Sequence, residues 1–237
     1  MKLSIIIPSY NEENTISSVL TRVCTVELKN ISEKEIIVVD DCSKDKSESK
    51  IHEFIEKNKD HNIRYIRHAK NMGKGAAIRS GIENATGDYT IIQDADLELD
   101  PEDINQMLKP VFKGNADVVY GSRFAGGSNP RSILTYRHNF ANKFLTSLSN
   151  IFSNMNITDM ETCYKLARTD VMKSIKIEEN RFGFEPEITA KLSKMKKLNF
   201  FEVGVSYYPR SRAQGKKIGW SDGFRAIYCI VKYNIFR

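Results

Sequence analysis

Three groups of polar residues stand directly behind short apolar runs in the first hundred residues. Asp94-Ala-Asp96-Leu-Glu98 follows Tyr89–Gln93. Two carboxylates two residues apart at the end of a strand make an oxygen-rich pocket for a hard cation such as Mg2+ or Mn2+. A solvated acidic loop capping the next helix is the plainer alternative, but the position behind an apolar strand favours the metal. Asp40-Asp41-Cys-Ser43 follows Glu35–Val39. A carboxylate there can accept hydrogen bonds from a nucleobase or ribose, while Ser43 or Asp41 caps the next helix. Pro8-Ser-Tyr-Asn-Glu12 follows Leu3–Ile7, where Tyr10 offers a flat face and Glu12 an acceptor. Asn71-Met-Gly-Lys-Gly75 is not a P-loop, and its glycines read as a device for tight backbone geometry. Late in the chain, Arg210, Arg212, Lys216 and Lys217 crowd eight residues around Gly215. Such a loop can fold over a polyphosphate, and its plainer readings are a solvated charge run or a nucleic-acid patch.

The elements that must position these groups follow from periodicity. Leu3–Ile7, Glu35–Val39, Asn62–Ile66 and Asp88–Gln93 read as strands. Helical spacing over Glu12–Cys24, Lys44–Asn58 and Gly73–Asn84 separates them. This alternation predicts an α/β fold, and such sheets bind ligands at the carboxyl ends of their strands. The three polar groups therefore converge on one crevice. Further on, Pro101 opens a helix to about Phe112, and Asp117–Tyr120, Cys163–Ala167 and Phe200–Ser206 read as strands. Leu134–Phe152, Pro186–Lys194 and Trp220–Phe236 read as helices. In the Leu134–Phe152 helix, Phe140, Phe144, Leu148 and Phe152 recur at four-residue spacing, and core packing is the expectation for them. The division expected is a domain over 1–217 and an amphipathic helix over 218–237.

Composition narrows the function. With 237 residues, 41% of them hydrophobic, the chain can bury a full core unaided. Its four Cys have neither disulfide-scaffold nor zinc-site spacing, which suits a reducing compartment. The apolar start is cut short by Pro8 and the polar run after it, so a signal peptide is not expected, and no run is long enough to span a bilayer. A net charge of +6 permits nucleic acid, an anionic membrane or phosphorylated small molecules. Acidic strand ends repel nucleic-acid phosphates, so nucleic acid is not the expected partner. None of the four His falls within a motif.

Pro8–Glu12, Ile37–Asp41, Asn71–Gly75, Ala85–Asp88, Asp94–Leu97 and Gly121-Ser-Arg123 occur in the order and spacing found in family 2 inverting glycosyltransferases. The chain most resembles the dolichyl/polyprenyl-phosphate sugar synthases, the dolichol-phosphate mannosyltransferase-like branch. The resemblance implies a GT-A-type Rossmann-like sheet, mixed but mainly parallel, flanked by helices. It also implies a nucleotide-diphosphate sugar donor, UDP- or GDP-linked, and Mg2+ or Mn2+. By this resemblance Pro8, Tyr10, Glu12, Val39 and Asp41 contact the donor nucleotide. Asp94, Ala95 and Asp96 form the donor and metal segment, and Glu98 stands where another metal ligand is often placed. Arg123 resembles a phosphate-binding arginine, and Arg210 and Lys216 match an Arg and a Lys that clamp the donor diphosphate. The catalytic set so implied is Asp94, Asp96 and Arg123. Cys163 stands near a position where many of these synthases carry Gly.

A metal and an Arg/Lys clamp suit the departure of a nucleotide diphosphate, which develops negative charge. A polyprenyl phosphate acceptor, with a second pKa of about 6, is anionic near neutrality and needs little general-base help. Arg123, then Arg131, are the candidates to hold its phosphate. The alternative acceptor is a glycan hydroxyl in polysaccharide or cell-envelope synthesis, and a non-catalytic nucleotide-sugar-binding role is a third reading. The terminal helix gathers Trp220, Phe224, Ile227, Tyr228, Val231 and Ile235 at helical spacing. Such a face suits either packing on the domain or an anionic membrane surface. The expected location is cytoplasmic, peripheral at the cytoplasmic membrane face, with room for a separate membrane protein as partner.

Overall fold

The computed structural model describes residues 1–125, 136–210 and 220–236. The two most apolar runs lie side by side at the middle of the sheet. They are β1 (Lys2–Ser9) and β2 (Glu33–Asp40), parallel, with Ile5 opposite Ile36. Their β-branched residues are buried on both faces, as the continuous pattern requires. β3 (Ile63–Arg67) pairs with β2 and β4 (Tyr89–Ile92) with β1, both parallel. The connections are α1 (Ile16–Thr25), α2 (Ser47–Lys57) and α3 (Lys74–Asn84). A 3-10 turn at Pro101–Asp103 leads into α4 (Ile104–Gly114) and β5 (Val118–Ser122). Then come α5 (Tyr136–Ser153), β6 (Lys165–Arg168), α6 (Thr169–Ser174), α7 (Phe184–Ser193), β7 (Phe200–Gly204) and α8 (Trp220–Ile235).

The sheet order is β3-β2-β1-β4-β6-β5-β7. β6 runs antiparallel to both β4 and β5, while β7 is parallel to β5. The expected mixed, mainly parallel sheet flanked by helices is therefore what forms. No periodicity distinguished β6 as the reversed strand, because its direction depends on pairing with β4 and β5, which are distant along the chain.

Two helices begin later than their apolar spacing suggested. α1 starts at Ile16 rather than Glu12, and α2 at Ser47 rather than Lys44. The intervening residues bind one another instead. Asn11 N donates to Ser43 Oγ at 2.9 Å, Lys44 N to Asn11 Oδ1 at 2.8 Å, and Glu12 N to Ser47 Oγ at 2.8 Å. Ser43 thus ties two turns together rather than capping α2.

α5 corrects the expected core packing of its phenylalanines. Phe140 and Phe144 are 63% and 50% exposed, while Leu145, Thr146 and Ser149 face inward. Polar contacts set this roll: Met160 N donates to Thr146 Oγ1 at 3.1 Å, and Asn150 Nδ2 to Ile157 O at 2.8 Å. α8 lies against α5 and α7, burying Ala226 and Ile230 in the main core and Cys229 and Tyr233 beside Ala190. Among the described residues, no helix is long and apolar enough to cross a membrane.

Glu35 shows what a satisfied buried carboxylate looks like here. It accepts from Ser4 Oγ, from Thr86 Oγ1 at 2.7 Å and from Gly87 N at 3.0 Å, with Lys2 Nζ 3.6 Å away. Burial raises its pKa, but these donors outweigh burial and hold it below the usual value. A depressed folded pKa stabilises above the unfolded value of about 4.3 and is lost as pH falls through the folded pKa. Glu35→Gln is expected to cost about 1–3 kcal/mol in urea denaturation at pH 7, with the deficit shrinking below pH of about 4.

Candidate functional site

The carboxyl ends of β1, β2 and β4 open on a cleft of about 890 Å³. Pro8, Tyr10 and Glu12 line it from the β1 turn, Asp41 from the β2 turn, and Asp94, Ala95, Asp96 and Glu98 from the segment after β4. The convergence expected from strand alternation is therefore present in space. Arg123 and Arg210 reach the same cleft from β5 and from the segment after β7. Val39 does not line it: its side chain is fully buried with Ile37, Ala77 and Ala85. Arg131 and Lys216 lie outside the described residues.

Asp41 organises the wall of the cleft behind β2. Its Oδ1 is 2.7 Å from His68 Nδ1 and accepts from Met72 N at 2.9 Å, while Oδ2 accepts from Gly73 N at 2.6 Å. His68 Nε2 lies 2.9 Å from Ser80 Oγ on α3. The neighbouring Asp40 has a different task, since both its oxygens bind inside the fold, to Ser43 N at 2.9 Å and Tyr65 OH at 3.0 Å. Gly73 has φ +101°, and a Cβ there would lie 2.3 Å from Asn180 O. Only glycine allows that approach. It brings the Asn180 backbone onto the start of α3, where Ala76 N donates to Asn180 O at 3.1 Å.

The acidic segment is balanced by two cations from distant elements. Lys74 Nζ stands 3.0 Å from Asp94 Oδ1 and 3.1 Å from Glu185 Oε1. Burial opposes charge on Lys74, but Asp94 and Glu185 outweigh it and hold its pKa well above the ordinary value. Asp94 is correspondingly depressed, Lys74 overcoming the burial that would raise it. Arg210 reaches Glu12 Oε2 at 3.0 Å and Asp96 Oδ2 at 2.9 Å, and its backbone N donates to Glu98 Oε1 at 2.8 Å. Glu98 Oε2 also accepts from Tyr207 OH at 2.9 Å. Asp96 is left short of compensation. Burial, then Asp94 and Glu98, push its pKa up to about 7 against the pull of Arg210.

Arg123 is anchored rather than mobile in its role. Its Nε and Nη2 donate to Asp159 Oδ2 at 2.7 Å and Oδ1 at 2.8 Å, a bidentate pair with a fully buried carboxylate. Its guanidinium also packs 5.1 Å from the Tyr207 ring centre. Residues that the motif reading left without a role thus build the site: His68, Lys74, Asp159, Glu161, Glu185 and Tyr207. Lys74 falls inside the quoted Asn71–Gly75 motif, so a charge flanking a Gly-rich turn was an available signal, as was the lone Asp159 before Cys163. His68 and Tyr207 carried none.

Among the described residues, no three His, Cys, Asp or Glu side chains converge in a metal-holding arrangement. The oxygen-only donor set and the undercompensated Asp96 nevertheless fit a divalent cation.

Fold and site together define a GT-A-type enzyme scaffold, with acidic and basic groups meeting at the sheet's carboxyl edge. Residues 4–176 match the Glycosyl transferase family 2 domain, and the chain belongs to that family. It is 29% identical over 238 residues to dolichol-phosphate mannosyltransferase of Pyrococcus furiosus, covering 98% of this chain and 64% of that protein. It is 34% identical over 133 residues to dolichyl-phosphate beta-glucosyltransferase of Dictyostelium discoideum, covering 51% of this chain and 39% of that protein. The chain thus spans less than two thirds of the length of these curated relatives. Its fold is similar to glucosyl-3-phosphoglycerate synthase from Mycobacterium tuberculosis in complex with Mn2+, UDP and phosphoglyceric acid. The TM-score is 0.73 at 16% identity, over 100% of this chain and 79% of that one.

The raised pKa of Asp96 has a thermodynamic sign. A folded-state pKa of about 7, against about 3.9 unfolded, means the folded state binds the extra proton between those values. Its charge therefore opposes folding fully above pH 7 and ceases to do so near pH 4. Asp96→Asn is expected to raise the metal-free melting temperature by a few degrees at pH 8, roughly 2–4 °C per kcal/mol relieved. That gain should shrink toward zero as the pH is lowered to about 4 in calorimetric scans.

Proposed function

We propose that this protein transfers a sugar from a UDP- or GDP-linked donor to the phosphate of a polyprenyl phosphate, with inversion. The observation that carries this reading is an aromatic ridge opening from the cleft that holds the carboxylates. Phe144, Phe224 and Ile227 line the cleft, and Phe140, Phe224, Tyr228, Ile235 and Phe236 on and beside α5 and α8 are exposed. A polar, charge-dense floor beneath an apolar rim matches an acceptor with a phosphate head and a hydrocarbon tail. The names of the two curated relatives, both built on dolichyl phosphate, support the same acceptor class.

In this reading an acceptor phosphate oxygen forms a bond to the anomeric carbon as the bond from that carbon to the nucleotide diphosphate breaks. The leaving group departs as the free nucleotide diphosphate. Arg123, held by Asp159, and Arg131 bind the acceptor phosphate. Arg210 and Lys216 neutralise the donor diphosphate, and Tyr10, Glu12 and Asp41 receive its nucleoside. Asp94, Asp96 and Glu98 would hold Mg2+ or Mn2+, which supplies positive charge to the leaving diphosphate. The acceptor phosphate is already anionic near neutrality, so the chain needs no general base.

Residues 1–217 form the catalytic unit in this reading, and 218–237 supply a helix that packs on α5 and α7 through one face and meets anionic lipid through the other. The protein works peripherally at the cytoplasmic membrane face. A separate membrane protein as partner is compatible with that position.

A panel of nucleotide-sugars offered with a short polyprenyl phosphate and, separately, with soluble glycans tests the acceptor. A lipid-linked product that requires Mg2+ or Mn2+ is expected. A product on the glycans alone would overturn the reading in favour of a hydroxyl acceptor. The double substitution Phe140→Ser/Phe236→Ser should weaken co-sedimentation with anionic vesicles about thirtyfold, each side chain contributing on the order of 1 kcal/mol of burial. Unchanged vesicle binding would remove the ridge from the membrane contact.

A further inference from the structure

Two carboxylate oxygens in the cleft stand out among the described residues. Glu161 Oε1 and Glu185 Oε2 are buried and have no hydrogen-bond partner among the described residues. Both side chains line the cleft. Glu185 is only 4% exposed, at the start of α7, and its other oxygen is fixed 3.1 Å from Lys74 Nζ. Glu161 lies two residues beyond Asp159, on the segment that anchors Arg123.

Two other buried carboxylates show the contrast. Asp159 takes three donors from Arg123, and Glu187 accepts from Glu178 N and Glu179 N at 2.7 Å each. An unsatisfied buried acceptor destabilises a fold, and a second carboxylate beside it adds repulsion. That strain registers in Glu161: burial, then the charge of Glu185, raise its pKa to about 7 against Lys165 and Arg123. A ligand that enters the cleft can supply the donors that the described residues do not. Lys74 ties Glu185 to Asp94, so the pair adjoins the carboxylates assigned to the donor diphosphate and its metal. The group attached to that diphosphate is a sugar ring, which presents several O–H donors.

We propose that Glu161 Oε1 and Glu185 Oε2 accept hydrogen bonds from hydroxyl groups of the transferred sugar, and that this pair selects an uncharged hexosyl donor over a uronosyl one. The selection is electrostatic as well as geometric. A uronate would bring a third carboxylate against two, whereas a neutral hexose supplies donors and no charge. The inference rests on the glycosyltransferase reading and names its donor class.

Titration calorimetry on the full chain with Mg2+ tests it. Each nucleotide is offered bare, as its hexose conjugate and as its uronate conjugate: UDP, UDP-glucose and UDP-glucuronic acid, then GDP, GDP-mannose and GDP-mannuronic acid. For the nucleotide that binds, the hexose conjugate should bind about tenfold or more tightly than the bare nucleotide, the range of a hydrogen bond to a charged group. The uronate conjugate should bind no more tightly than the bare nucleotide. Glu161→Gln should keep bare-nucleotide affinity within about twofold while losing most of the hexose gain, and Glu185→Gln, which also loosens Lys74, should lose the hexose gain measured against its own bare-nucleotide affinity. Glu161→Gln should also melt no lower than the parent, because a neutral amide replaces an unsatisfied charge. Equal binding of uronate and hexose by the parent, undiminished discrimination in both variants, or a marked loss of melting temperature in Glu161→Gln would overturn the proposal. Failure of every nucleotide to bind would instead overturn the glycosyltransferase reading on which it stands.

Discussion

Like charge gathered at one edge of a parallel sheet is the constraint around which this molecule is organised. Parallel strands deliver their following turns to a common edge, and in this chain those turns carry Glu12, Asp41, Asp94, Asp96 and Glu98. Carboxylates brought together out of bulk water repel one another and lose hydration, so the fold must supply positive charge or protons. Lys74 and Arg210 are that supply. Arg210 alone bridges the turn after β1 and the turn after β4, with Glu12 and Asp96 on two nitrogens of one guanidinium. The planar, permanently charged group suits this task better than an ammonium would.

The surrounding architecture can be understood as support for those two cations. Lys74 is placed by the left-handed backbone at Gly73 and by the close passage of Asn180 over the start of α3. Arg210 is placed by its backbone bond to Glu98, and by Tyr207, whose hydroxyl holds the other Glu98 oxygen. The same Tyr207 ring also packs against Arg123. Arg123 and the Glu98–Arg210 group are thus linked through one aromatic side chain. Compensation remains incomplete at Asp96, Glu161 and Glu185, and these are the positions from which a bound cation or ligand would gain most.

Much of this was legible from residue order because the relevant signals are local. An apolar run ended by Pro8 or by Asp40-Asp41 marks a buried strand and its polar exit, and alternation with helical spacing implies parallel strands. Hence Tyr10, Glu12, Asp41, Asp94 and Asp96 could be assigned to one crevice before any coordinate was known. Local signals misled where a tertiary contact competed with them. The start of α2 moved to Ser47 because Ser43 and Lys44 bind Asn11 across the gap, and α5 turned its phenylalanines outward because Thr146 and Asn150 bind the chain near residues 157–160. Val39, placed by resemblance beside the nucleotide, keeps its side chain in the core, one pleat deeper than Asp41 and covered by Ala77 and Ala85.

The amino-acid sequence by itself determined the α/β class, the carboxyl-edge location of the site and the clustering of its acids, since each follows from short-range pattern. Tertiary structure alone decided which residues partner the charged groups of the site. His68 on Asp41, Lys74 between Asp94 and Glu185, Asp159 on Arg123, and Arg210 across Glu12 and Asp96 join residues from 20 to 198 positions apart. It also decided that β6 runs against its neighbours and that two buried carboxylate oxygens find no donor among the described residues. The physical reason is common to all of these. Periodicity reports which side of an element is apolar, whereas a charge is satisfied or left wanting only by what folding brings within about 3 Å of it.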